Sequence, residues 1–112
     1  MNKILFIIRC QEDKYYLGLS NSFVSIFFRH LENYDNIHWL NLYKPVELVY
    51  IEHFFNYEML NNCVLHYMYM YGINNVRGGI YSDVYLSLQD KYYIDRQINL
   101  LYNNEQIYED NK

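Results

Sequence analysis

Tyr71-Gly72-Ile73-Asn74-Asn75-Val76-Arg77-Gly78-Gly79-Ile80-Tyr81-Ser82 is the stretch on which the reading of this chain turns. It closes an apolar helical segment, turns on one glycine, presents an arginine expected to be exposed, and turns again on a glycine pair. Gly72 can adopt the left-handed backbone that ends a helix, and Asn74-Asn75 tolerates it nearly as well. Gly78-Gly79 lets the backbone come close to another surface, with Arg77 held beside it. Locally this is a helix C-cap followed by a loop.

Upstream, the spacing predicts a helix over Tyr57–Tyr71. It is apolar nearly all round, through Leu60, Cys63, Val64, Leu65, Tyr67, Met68 and Met70, as in a helix that is buried or sandwiched by a partner. Pro45 cannot donate to a ladder and so precedes a third strand, Val46–Ile51, whose middle is expected to be covered on both sides. The continuous apolar run Ile4–Ile8 reads as a strand buried on both faces. Gln11–Lys14 is a polar hairpin turn, and Tyr15–Leu19 returns as a second strand. A helix from about Ser22 to Leu31 would place Phe23, Ile26, Phe27 and His30 on one face, with a polar loop at Glu32–Asn36. Downstream, Ser87 and Asp90 resemble a capping box for a last helix, Leu88–Tyr102, with Ile94, Ile98, Leu101 and Tyr102 inward. The order strand, strand, helix, strand, helix, helix implies an α+β fold. Its expected form is a small three-stranded mixed or antiparallel sheet flanked by three helices.

The chain has 112 residues. That suits one domain, expected over residues 1–103, with 104–112 as an acidic frayed tail. Net charge is −4, from 9 basic and 13 acidic residues, and no basic run is present, which disfavours phosphate-led nucleic-acid binding. Fifteen residues are Tyr, while Ala and Thr are absent. AT-rich codon usage explains that bias, and an aromatic contact surface is the other reading. Cys10 and Cys63 form no C-x-x-C pair, consistent with reduced, buried thiols. No signal peptide and no membrane span is recognisable, so the expectation is a soluble, intracellular chain without a membrane partner. His38, His53 and His66 show no pairing that suggests zinc.

Taken whole, Tyr71-Gly72-Ile73, Asn75-Val76-Arg77-Gly78-Gly79 and Tyr81-Ser82 resemble a signature of GIY-YIG nuclease-like domains found in large DNA viruses and some eukaryotes. Lys14-Tyr15-Tyr16-Leu17-Gly18 looks like the second half of the family name. Trp39 and Tyr43-Lys44-Pro45 are similar to the family's Trp…Tyr-x-Pro segment. Together these cover roughly residues 3–100.

The resemblance implies one-metal phosphodiester hydrolysis. A carboxylate would hold the cation, an arginine would stabilise charge on the phosphate, and tyrosine hydroxyls would help activate water. Carried across, the first-strand tyrosine falls on Phe6, which lacks the hydroxyl. The second-strand tyrosine is retained as Tyr16, with Gly18. The helix arginine falls on Ser25 or Ile26, and the histidine that follows is retained as His30. The metal carboxylate falls near Leu60 or Asn61. Glu58, two or three positions away, is rotated roughly 200° or 300° around the helix. Tyr16, His30 and Arg77 are thus the residual catalytic candidates, and Glu58 the metal candidate. Arg29 and Arg77 are the nucleic-acid candidates, and Gly18, Gly72, Gly78 and Gly79 the structural motif.

The expected function is a catalytically inactive GIY-YIG-like domain, a viral protein-interaction or structural module in the host cytoplasm or virion. It would meet a protein partner or a second copy through its aromatic, Met-bearing surface, and no cofactor is expected. The alternatives are an active endonuclease using Mg²⁺ or Mn²⁺, and a non-catalytic nucleic-acid binder.

Overall fold

The computed structural model describes residues 3–20 and 37–103. The predicted helix Ser22–Leu31, with Arg29 and His30, and the tail 104–112 lie outside the described residues.

Strand β1, Lys3–Cys10, runs into a single 3-10 turn, Gln11–Asp13, and returns as β2, Lys14–Ser20. Short helix α1, His38–Leu42, precedes β3, Pro45–Phe55. Helix α2, Tyr57–Tyr71, a second 3-10 turn and β4, Val76–Gly78, follow. Helix α3, Leu88–Ile98, ends in a π turn over Asn99–Asn103. The sheet order is β3-β1-β2-β4, with β1 antiparallel to both neighbours and β4 parallel to β2. The α+β class stands, but among the described residues the sheet has four strands rather than three. Three residues are too short to carry a period, which is why β4 reads as loop.

Strand β1 behaves as its apolar run requires. Leu5 and Ile7 enter one core, with Leu17, Leu60, Val64 and Ile94, while Phe6, Ile8 and Cys10 enter another with Trp39 and Leu40. The alternation follows from the two-residue period of a pleated strand.

Strand β3 departs from expectation. It includes Pro45, and it lies at the sheet edge, where a missing N–H costs no ladder bond. Its register against β1 slips between Lys3 and Leu5, Ile7 and Ile8, and Arg9 and Cys10. These bulges break the alternation seen in the sequence and leave Val49 and Tyr50 44% and 46% exposed, not covered on both sides. They also roughen an edge that would otherwise template strand pairing.

Helix α2 starts where Asn56 Oδ1 accepts the Met59 N–H at 2.9 Å, with Glu58 favourably placed in the first turn. Leu60, Val64, Leu65 and Met68 bury one face. Tyr57, Met59, Tyr69, Met70 and Tyr71 stay substantially exposed, so the helix is one-sided rather than buried all round. It stops at Gly72, whose φ of 99° and ψ of 144° lie beyond the left-handed helical well, in a region nearly reserved for glycine. Asn75 Nδ2 donates to the freed Tyr71 carbonyl at 2.7 Å.

Ser87 Oγ accepts the Asp90 N–H at 3.0 Å and opens α3 as expected. Ile94 and Ile98 are buried, whereas Leu101 is 45% exposed. The π turn explains that correction: its wider turn delays the inward position by about one residue. Tyr102, not Leu101, therefore packs against the core, stacking on Tyr69 at 4.1 Å. Among the described residues no helix is long and apolar enough to cross a membrane.

Candidate functional site

Among the described residues, the second sheet face, carrying Phe6, Ile8 and Tyr16, is covered by α1 and by the loop after β4. Trp39 on α1 is buried, and its Nε1 donates to the Tyr15 carbonyl at 3.0 Å. Arg77 lies with its guanidinium 4.5 Å from the Trp39 ring centroid. Tyr43 meets the same indole edge-on at 4.7 Å, and Lys14 Nζ stands 5.1 Å over the Tyr43 ring while donating to Asn75 Oδ1 at 2.6 Å. Segments far apart in sequence, Lys14-Tyr15-Tyr16, Trp39…Tyr43 and Asn75-Val76-Arg77, therefore converge on one cluster.

The arginine expected to be exposed is 3% exposed. Its Nε donates to the Asp83 carbonyl at 2.8 Å, Nη1 to those of Ile73 and Val76 at 2.6 and 2.7 Å, and Nη2 to that of Val84 at 3.0 Å. A guanidinium has five N–H groups, and four find carbonyls, at Val76 in β4 and at Ile73, Asp83 and Val84 in the turn and loop on either side of it. Burial holds Arg77 below the usual arginine value, partly offset by Tyr43. Its chemistry here is to tie two turns together over an indole face.

The glycines have matching reasons. A methyl at Gly18 would meet Phe6 Cζ at 2.6 Å, because the phenyl ring lies over this cross-strand partner. Gly78, at φ 154°, leaves no room for a side chain against the Leu17 carbonyl of β2. Gly79, at φ 55°, abuts the Asn61 amide, whose Oδ1 accepts the Ile80 N–H at 3.1 Å. The close backbone approach read from the glycine pair is present, and its surfaces are β2 and α2.

Among the described catalytic candidates, Tyr16 and Arg77 are register partners across the β2–β4 ladder. Burial pushes the Tyr16 hydroxyl above its usual value, a hydrogen bond with Ser82 offsets this in part, and Tyr57 adds to it. Phe6, where the resemblance requires a hydroxyl, is 1% exposed and rests against Tyr16 at 6.2 Å between ring centroids. Leu60 is core, and Glu58 is exposed in the first turn of α2. Tested as a cation site, the residues at the carboxylate position do not fit: leucine has no donor, and the Asn61 oxygen already holds the Ile80 amide. Among the described residues no group of three or more His, Cys, Asp or Glu is placed to hold a metal ion.

A groove runs between α1 and the loop Ser82–Leu86, in three adjoining parts. One, about 200 Å³, is lined by Trp39, Tyr43, Asn74, Arg77, Tyr85 and Lys91. The central part, about 510 Å³, is walled by Leu42, Val84 and Tyr85 with His38 and Asp83. The third, about 240 Å³, reaches Tyr16 and Ser82 past His38 and Asp83. Val84 borders all three. Of the candidates named from sequence, Tyr16 and Arg77 line this groove, and Glu58 does not. His38, Asp83, Tyr85 and Lys91 carried no sequence signal beyond their nearness to Trp39, Ser82 and the Ser87 cap. Compared with family models, curated proteins and solved structures, the chain has no match.

Proposed function

We propose that this chain is a catalytically inactive, GIY-YIG-like α+β domain that works as a protein-interaction or structural module. The observation that carries the reading is Asn61. Near Leu60 or Asn61, where the resemblance puts a metal-binding carboxylate, stand a buried leucine and an amide whose oxygen is committed to the Ile80 backbone. Two further observations support it. Phe6 supplies a buried ring without a hydroxyl, and Arg77 spends its donors on backbone carbonyls rather than facing a phosphate. The net charge of −4 also disfavours a nucleic-acid surface. The resemblance of the motifs and the AT-biased residue usage support a setting in a large DNA virus, with the module acting in the host cytoplasm or the virion.

Incubation of supercoiled plasmid with purified protein and Mg²⁺ or Mn²⁺ tests the reading. The expected result is no nicking above that of a Tyr16→Phe, Glu58→Ala double variant. Metal-dependent nicking by the wild type that this variant abolishes would instead establish the endonuclease alternative.

A further inference from the structure

We infer that the groove between α1 and the loop Ser82–Leu86 receives an extended peptide segment of a protein partner. That segment carries an acidic residue at the Lys91 end, apolar side chains in the middle and a basic residue at the Asp83 end. The inference rests on the interaction-module reading and names the surface that would serve it.

Charge complementarity carries it. Among the described residues, the part of the groove bordered by Arg77 and Lys91 includes no carboxylate side chain, although acidic residues outnumber basic ones in the chain. Asp83 borders the other two parts, and among the described residues neither of those includes Lys or Arg. The described lining is therefore polarised along its length, positive at Lys91 and negative at Asp83. Between the poles lie Leu42, half-exposed, and Tyr85, which at 89% is the most exposed large apolar side chain among the described residues. An unpaired aromatic of that kind beside an open apolar cavity has the composition of an interface anchor.

The floor is rigid. Arg77 and Trp39 are locked by the carbonyl bonds and ring contact already described, so binding would cost little ordering there. A nucleic-acid strand fits the polarity poorly, because its uniform negative charge would meet Asp83 at one end of any path through the groove.

The test uses two fluorescein-labelled peptides on the whole chain, Lys-Ser-Leu-Phe-Glu-Glu and its charge-reversed form Glu-Ser-Leu-Phe-Lys-Lys, read by fluorescence anisotropy. The wild type is expected to bind the first more tightly than the second by about threefold to tenfold, the range set by exposed charge pairs. Lys91→Glu should weaken the first peptide by a similar factor. The Asp83→Lys, Lys91→Glu double variant should reverse the preference. Tyr85→Ala should weaken both peptides alike. All three positions are exposed, so thermal melts of the variants are expected to match the wild type.

Equal binding of the two peptides, or no saturable binding of either at millimolar concentration, overturns the inference. So does a twelve-nucleotide single strand that binds more tightly than the first peptide and loses affinity in Lys91→Glu. Failure here with a plasmid still intact leaves the module reading standing with its surface elsewhere. Plasmid nicking removes the reading itself.

Discussion

The two faces of the sheet are closed by different physics. Over Leu5, Ile7 and Leu17 lie α2 and α3, and among the described residues that core is aliphatic and aromatic side chains with no buried charge. Among the described residues, Phe6 and Ile8 are covered by a five-residue helix, a loop and one buried cation that hydrogen-bonds four carbonyls. The first face gains from area removed from water, which is non-directional and tolerates substitution of similar volume. The second depends on geometry, since a buried polar network fails as a unit when one member is missing. Of the residues that made the sequence distinctive, Tyr16, Trp39 and Arg77 sit on the second face and Val76 and Tyr81 on the first, and their observed contacts are architectural.

The largest test of that contrast is Arg77→Ala. It leaves four carbonyls without their donor and the Trp39 face uncovered, and should cost about 3–5 kcal/mol in chemical denaturation. Arg77→Lys should recover little, because a lysine cannot span the same acceptors. A loss below about 1 kcal/mol would mean that this face is held by apolar packing as the other is.

Gly78→Ala comes next. A side chain there meets the Leu17 carbonyl, so the β2–β4 pairing must shift, at about 2–4 kcal/mol. Hydrogen exchange at Val76–Gly78 should rise in this variant before exchange in β1 does.

On the apolar face, Leu60→Ala should cost about 2–4 kcal/mol by lost transfer and the cavity left behind. A Leu60→Met exchange should cost less than about 1.5 kcal/mol. If Leu60→Met proves as damaging as Leu60→Ala, the two faces are not as different as described.

The smallest effect at neutral pH appears as alkalinity rises. Burial pushes the Cys10 thiol from 9.0 up to about 12, and Tyr16 shifts in the same direction. Above pH 9 the unfolded chain releases a thiol proton that the folded chain keeps, so the folded state binds more protons and stability falls as pH rises. The Cys10 contribution is fully present below pH 9 and is lost by pH 12. Denaturant midpoints measured at pH 7, 9 and 10.5 should decline more gently in Cys10→Ala than in the wild type. Parallel declines would show that the thiol is not sealed within the Phe6–Trp39 core.

How much of this was legible differs by residue, for reasons that can be named. The Ser87 cap and the close approach at Gly78-Gly79 were readable because each depends on a few neighbouring atoms. The β3 bulges were not, since the alternation of Val46–Ile51 is the same whether the strand is central or at an edge. Leu101 was misplaced because a π turn shifts the helical phase only in its last residues. Of the candidate site, Tyr16 was readable from its motif. The groove partners His38, Asp83 and Lys91 lie on segments that only folding brings together.

The amino-acid order alone settled that β1 would be buried on two sides, where α2 begins and ends, and that Gly72 ends a helix while Gly78-Gly79 allows a close backbone approach. These follow from local periods, caps and backbone freedom. Tertiary structure alone decided that Arg77 would be enclosed rather than presented. Its acceptors at Ile73, Val76, Asp83 and Val84 come together only when both turns dock beside Trp39, and a charge can be buried only where such partners already wait.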